Sequence, residues 1–203
     1  MSLFITFEGG EGCGKSYQSR TLYHTLLSRA IPCIIVHEPG STVLGEKIRR
    51  LLKQANEIPI SPLTELLLFN ASRSQLVTDS IQPALKEGKI VICDRFADSS
   101  LAYQSYGRGL GLTIVKEINN IASRALKPDI TFLLDVPPEV GLSRKRVNIQ
   151  DRFEQEKIVF HRKVREGFLK LAAEEPRRWV VIDATSSKSK IAGLIWEKIS
   201  RLF

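Results

Sequence analysis

The stretch Gly9-Gly10-Glu11-Gly12-Cys13-Gly14-Lys15-Ser16 fits the spacing G-x-x-x-x-G-K-[ST]. An apolar run, Leu3 to Phe7, stands directly before it and a helical pattern directly after it. That context separates a phosphate-binding loop from a chance glycine-rich turn. The glycines let the backbone curl with its N–H groups pointing inward, and the helix N-terminus adds partial positive charge. In such a loop Lys15 reaches the outer phosphates of a nucleoside triphosphate and the Ser16 hydroxyl holds a magnesium ion. The motif is silent about the reaction. Neither D-x-x-G nor N-K-x-D occurs, so a guanine-nucleotide switch is excluded.

A second reactive pair, Asp94-Arg95, closes the apolar run Lys89 to Cys93. Elsewhere an Asp-Arg dipeptide is usually a surface ion pair. At the carboxyl end of a strand it lies where α/β proteins collect their ligands. Three basic residues, Arg144-Lys145-Arg146, with Arg152 beyond them, form the only tight cationic cluster. A charge run is most often a solvated helix face.

The elements that must position these groups follow from periodicity. Short β-branched runs at 3–7, 33–36, 89–93, 130–134 and 179–183 alternate with amphipathic stretches. Helices are expected to about Arg29, over 45–53, over 62–86 with a break near Ser74 and an end soon after Pro83, and over 100–106 and 113–125. Long helical stretches follow the last two strands. Strands apolar on both faces and separated by helices require a parallel sheet covered on both sides. The predicted architecture is a three-layer α/β domain with a five-stranded parallel sheet.

The 203 residues suit one domain, 1–203, and carry a formal charge of +8 spread over many segments. Such a field steers polyphosphates as readily as nucleic acid, so we expect no nucleic-acid partner. No apolar run approaches the roughly 18 residues of a membrane helix. With no leader-like start, the chain reads as a soluble cytosolic protein with no membrane partner. Cys13, Cys33 and Cys93 make neither a C-x-x-C pair nor a metal-ligand spacing.

Further segments agree in identity and order with one family. His37-Glu-Pro-Gly-Ser-Thr42 resembles the R-E-P-G-G-T loop of bacterial thymidylate kinases, and Phe69-Asn-Ala-Ser-Arg73 their F-x-A-x-R helix. Asp94-Arg95-Phe96 is similar to the D-R-[YH] box, and Ser99-Ser-Leu-Ala-Tyr-Gln104 to the S-x-x-A-Y-Q stretch. Gly107-Arg-Gly109, Asp151-Arg-Phe-Glu154 and Ile182-Asp-Ala-Thr185 also match, so the resemblance spans nearly the whole chain. His37, Ser41 and Phe96 depart from the family pattern, which puts one substrate-phosphate contact at position 37 in question.

The resemblance implies transfer of the γ-phosphoryl of ATP, with Mg2+, to thymidine monophosphate. It also implies a strand order 2-3-1-4-5, a homodimer and a mobile lid near 144–153. It makes Lys15, Arg95, Arg146, Arg152 and Asp94 the catalytic set, with Ser16 and Asp94 toward the metal. Gly9, Gly10, Glu11, Gly12, Cys13, Gly14, Lys15, Ser16, Arg144 and Ala184 face ATP. Arg146 and Arg152 are favoured for the transition state because Gly10, Glu11, Gly12 and Cys13 include no arginine. Phe69 stacks on thymine, Arg73 faces its O4 edge, Ser100 and Gln104 complete the base contacts, and Tyr103 crowds the 2′ position. Glu11 and Glu38 approach the sugar and the acceptor-side magnesium water network, Arg49 the acceptor phosphate. A kinase for another nucleotide is the nearest alternative; a nucleotide switch or nucleic-acid module is the alternative of another class.

Overall fold

Residues 2–54, 59–144 and 152–202 are described by the computed structural model. The strands β1 (Leu3–Glu8), β2 (Cys33–His37), β3 (Ile90–Asp94), β4 (Ile130–Asp135) and β5 (Trp179–Asp183) pair in parallel in the order β2-β3-β1-β4-β5. Alternation within each strand feeds two cores. Ile5, Phe7, Ile90, Ile92, Phe132 and Leu134 meet Leu22 and Leu26 of α1 (Lys15–Leu27) and Ile191, Ile195 and Ile199 of α9 (Lys188–Ser200). Phe4, Val91 and Cys93 face the other way, onto Leu76 of α3 (Pro62–Leu76) and the Val77 and Ile81 that follow it. On that side Leu133 joins Val164, Phe168 and Leu171 of α8 (Ile158–Glu174). Each such buried aliphatic or aromatic side chain contributes about 1.5–3 kcal/mol, which is why strands apolar on both faces end up between helices.

Parallel pairing brings the strand carboxyl ends to one edge. His37 and Phe7 both pair with Asp94, and Asp135 with Asp183, so their polar termini line up beside the glycine loop. The shorter helices α2 (Val43–Gln54), α6 (Leu112–Ser123) and α7 (Pro138–Ser143) complete the frame.

One expected break lies elsewhere. The helical column runs through Ser74, and its irregularity is a π-turn over Val77–Ile81, where Gln82 N–H donates to the Val77 carbonyl, before α4 (Gln82–Lys86). Pro83 lacks an N–H and its ring would clash with the carbonyl four residues back; the widened turn immediately before it removes that conflict without ending the helix. A second π-turn, Leu101–Gly107, follows α5 (Ala97–Ser100) where an ordinary helix was expected, and it carries Tyr103 and Gln104. Its last residue, Gly107, packs so closely on α8 that a Cβ there would lie 2.6 Å from the Phe160 ring.

Candidate active site

The loop between β1 and α1 is shaped as its sequence implies. Gly14 caps α1 with a left-handed φ of 96° and no side-chain bond, so the first helical N–H groups face the loop. Gly12 is held against α7: a Cβ on it would lie 1.8 Å from the Gly141 carbonyl oxygen, so no other residue fits. The Lys15 ammonium donates to the carbonyls of Gly9 (3.0 Å) and Gly10 (2.7 Å) and to Cys13 Sγ (3.4 Å). Cys13 is 2 % exposed and belongs to the α1-side core, so its sulfur faces inward. The Ser16 hydroxyl donates to Asp94 Oδ2, while Asp94 Oδ1 is buried with no hydrogen-bond partner among the described residues.

Arg95 links this loop to the rest of the site. It follows β3 in a left-handed conformation (φ 71°) that non-glycine residues rarely adopt. Its Nη1 donates to the Gly9 carbonyl (3.0 Å) and Ser99 Oγ (3.1 Å), and its Nη2 to Glu11 Oε1 (2.6 Å) and the Tyr103 hydroxyl (3.0 Å). The Tyr103 hydroxyl in turn donates to Glu11 Oε1 at 2.7 Å. Burial works against the guanidinium charge, but Tyr103, Glu11, Glu8 and Asp94 together hold its pKa well above the ordinary value. Burial, joined by Glu11, pushes the Tyr103 hydroxyl up against the pull of Arg95, so it stays a donor.

Beneath Arg95 lies Glu8, a residue the sequence motifs did not single out. Its carboxylate accepts the Phe96 N–H (2.8 Å) and the Ser99 hydroxyl (2.6 Å), which fixes the turn that carries Arg95. Full burial, reinforced by Asp98, raises its pKa to about 7 against the pull of Arg95.

Phe69, Arg73, Ser100, Tyr103 and Gln104 line the same cavity as the loop, with Phe153 opposite. Phe69 and Phe153 lie 5.8 Å apart, and Tyr103 stands edge-on to Phe153 at 6.0 Å. Arg73 is 1 % exposed and its guanidinium is saturated by the protein. Nε donates to Glu38, Nη1 to Asn70 and Asn119, and Nη2 to the Phe96 carbonyl and Ser100 Oγ. With Arg73 donating to Ser100 Oγ, the Ser100 O–H is left to point elsewhere. Glu38 lies against Arg73 at 2.8 Å, yet burial outweighs that attraction and raises its carboxyl to about 7. Arg49 lines the cavity and donates to the Pro39 carbonyl at 2.9 Å.

Two of the departures from the family pattern touch each other. His37 Nδ1 lies 3.0 Å from Ser41 Oγ, which also accepts the His37 N–H at 2.8 Å. Both are tied to Glu46 of α2: its Oε1 accepts from the Ser41 N–H (2.9 Å) and lies 2.8 Å from His37 Nε2. Ser41 occupies a left-handed conformation (φ 60°), and the family's glycine there would adopt it without strain.

The basic cluster divides. Arg144 reaches back to the loop, donating to the carbonyls of Ala184 (3.1 Å) and Gly12 (3.5 Å). Arg152 is turned to the nucleoside side, paired with Glu65 and stacked over Phe153 at 4.9 Å. Arg146 lies outside the described residues. Phe153 carried no role in the sequence beyond its place in Asp151-Arg-Phe-Glu154, and Glu65, a carboxylate among leucines, was not singled out.

The family model "Thymidylate kinase" matches residues 7–195. A thymidylate kinase of Dehalococcoides mccartyi (strain ATCC BAA-2100 / JCM 16839 / KCTC 5957 / BAV1) is 54% identical over 202 residues, covering 100% of this chain and 97% of that protein. A thymidylate kinase of Synechococcus sp. (strain JA-2-3B'a(2-13)) is 47% identical over 197 residues, covering 97% and 94%. The crystal structure of thymidylate kinase from Ehrlichia chaffeensis superposes with a TM-score of 0.79 at 34% identity, covering 98% of each chain. A glycine loop at the N-terminus of α1, beside a strand-end Asp-Arg pair and an aromatic pocket, thus sits in a chain that belongs to the thymidylate kinase family.

Proposed function

We propose that this chain transfers the γ-phosphoryl group of ATP to the phosphate of thymidine monophosphate, yielding thymidine diphosphate and ADP. The observation that carries the reading is one cavity of about 560 Å³ that joins the phosphate loop, the Asp94-Arg95 turn and the Phe69–Gln104 pocket. A two-substrate phosphoryl transfer requires donor and acceptor to meet in one enclosure.

The acceptor phosphate is mostly a dianion at neutral pH, since phosphomonoesters have a second pKa near 6. An acceptor oxygen attacks the γ-phosphorus as the bond to the β-bridging oxygen breaks, and no general base is needed. The barrier is repulsion between anions, so catalysis rests on positioning and charge neutralisation. Lys15 and Arg144 serve the ATP phosphates, Arg49 the acceptor phosphate, and Arg95 the space between them. The orphaned Asp94 oxygen beside the Ser16 hydroxyl offers hard oxygen donors, which fit magnesium. Bound there, magnesium would neutralise developing charge on the phosphates. Phe69 stacks on the base, with Phe153 on the far side, and Ser100 and Gln104 read its edge. Residues 144–153, of which 145–151 lie outside the described residues, are proposed by the resemblance as the lid of a single domain, with Arg146 or Arg152 serving the transferring group.

Helices α2, α3 and α6 leave Leu51, Leu63, Leu67, Ile114 and Ile121 exposed on neighbouring surfaces, the basis for reading the protein as a homodimer. Among the described residues no helix is long and apolar enough to cross a membrane. We read the site of action as the cytoplasm.

The test is ADP release in a coupled assay with a panel of thymidine, uridine, guanosine and adenosine monophosphates. Turnover dependent on the thymidine nucleotide is expected. Faster turnover of a purine monophosphate, or no monophosphate-dependent release, would overturn the assignment.

A further inference from the structure

Glu65 is a heavily engaged carboxylate beside the nucleoside pocket, and nothing in the reaction uses it. It is 1 % exposed, one helical turn before Phe69 on α3. Its Oε1 accepts from Gln104 Nε2 (2.8 Å) and Arg108 Nε (3.2 Å), and its Oε2 from Arg108 Nη2 (3.2 Å) and Arg152 Nη2. Burying a carboxylate this deeply is costly unless it is paired, and here two guanidiniums and an amide pair it. Three separate segments converge on it: the start of α3, the π-turn, and the residues just past the basic cluster.

The consequence concerns Gln104. A side-chain amide has one donating and one accepting end. A carboxylate that receives hydrogen bonds from two arginines accepts and does not donate, so Gln104 must present its Nε2 to Glu65. Its Oε1 is then the end left for the cavity that Gln104 lines, and among the described residues no group donates to it. Of the other buried polar groups lining the pocket, Arg73 has all its N–H groups committed within the protein, and Ser100 Oγ accepts one of them.

We propose that Glu65 is a positioning residue for base selection: by locking the Gln104 amide it presents an acceptor oxygen to the base, favouring pyrimidines with an imide N–H over those with a bare ring nitrogen. This rests on the assignment above of the Phe69–Gln104 pocket to the nucleoside. Thymine and uracil carry an N3–H at that edge; cytosine carries a lone pair, which would face the Gln104 oxygen with neither group satisfied. Because Arg152 shares the same carboxylate, the segment beyond the basic cluster is anchored to the device that reads the base.

The experiment compares kcat/KM and equilibrium Kd for the monophosphates of thymidine, deoxyuridine and deoxycytidine in the parent enzyme and in Glu65→Gln. The amide introduced by that substitution can both donate and accept, so the Gln104 amide is free to turn its NH2 toward the cavity. The parent is expected to prefer thymidine over deoxycytidine monophosphate by on the order of 10⁴. In Glu65→Gln that ratio narrows about tenfold or more, because a mispaired buried group is no longer enforced. The thymidine to deoxyuridine ratio stays put, since both bases keep the N3–H. A second variant, Glu65→Gln with Gln104→Glu, keeps the pocket charge and returns an obligate acceptor to the cavity, so discrimination against deoxycytidine is restored. An unchanged deoxycytidine ratio in Glu65→Gln, or failure of the exchanged pair to restore it, overturns the proposal. Absence of turnover in the parent would instead sink the proposed reaction, and the Kd ratios would still decide the role of Glu65.

Discussion

Glu8→Gln should change the pH dependence of stability more than stability itself. The substitution is isosteric: the new amide oxygen can accept the Phe96 N–H that Glu8 now accepts at 2.8 Å, and the amide NH2 can donate to Ser99 Oγ, now at 2.6 Å. What disappears is a titration. Burial moves the Glu8 carboxyl from an ordinary 4.5 to about 7 in the folded chain. Between those values the folded protein binds a proton that the unfolded chain has released. The native form therefore holds more protons, and stability falls as pH rises through this window. The displacement corresponds to roughly 3 kcal/mol lost between about pH 4.5 and pH 7.5. Removing the carboxyl removes that loss. Measured by urea unfolding at pH 5, 6, 7 and 8, the difference between variant and parent should shift by about 3 kcal/mol toward the variant as pH rises. Glu38, also raised to about 7, gives a similar slope in both proteins and cancels in the comparison. Parallel stability curves for parent and variant would refute the claim that Glu8 is folded with a displaced proton affinity.

Other outcomes follow from the same geometry. Arg95→Lys should lower kcat by about 10²-fold or more despite keeping the charge, because an ammonium cannot span Gly9, Ser99, Glu11 and Tyr103 as the guanidinium fork does; steady-state kinetics checks it. Ser41→Gly should cost stability in the parent, where it removes the hydroxyl that meets both the ring and the main-chain N–H of His37, and should cost less, by about 0.5–1 kcal/mol, in His37→Ala, where the hydroxyl keeps only the main-chain N–H and the left-handed strain is still relieved. Melting temperatures of the four proteins in that cycle measure the coupling, and strict additivity would dissolve the proposed clasp. Thiol reagents should leave the folded enzyme active, since the Cys13 sulfur is packed in the core beneath the loop. Inactivation that ATP prevents, and that Cys13→Ala abolishes, would show the sulfur to be accessible.

The helix and strand periods were legible because each element buries a face, and burial leaves a regular trace in the sequence. The π-turns were not. Pro83 announced an irregularity, but the chain accommodates it by widening a turn rather than breaking near Ser74, and that choice depends on Leu76, Val77 and Ile81 staying in the core. The conformation of the glycine loop between β1 and α1 was legible because glycine spacing encodes backbone shape directly.

By itself the sequence determined the parallel three-layer plan, the loop and strand-end charges, and the family to which they belong. Only the tertiary structure decided which way the charged side chains turn. Arg73, which the resemblance turns to the O4 edge of the base, has its donors engaged by Glu38, Asn70, Asn119, Phe96 and Ser100, brought together from four segments. Arg152 looked like a cation for phosphate, yet it rests on Glu65, 87 positions away in the chain. His37 and Ser41 looked like independent departures and are one hydrogen-bonded unit with Glu46. Hydrogen bonds are satisfied in space rather than along the chain, so a polar residue's partner, and with it the end it presents to a ligand, is set only when distant segments pack together.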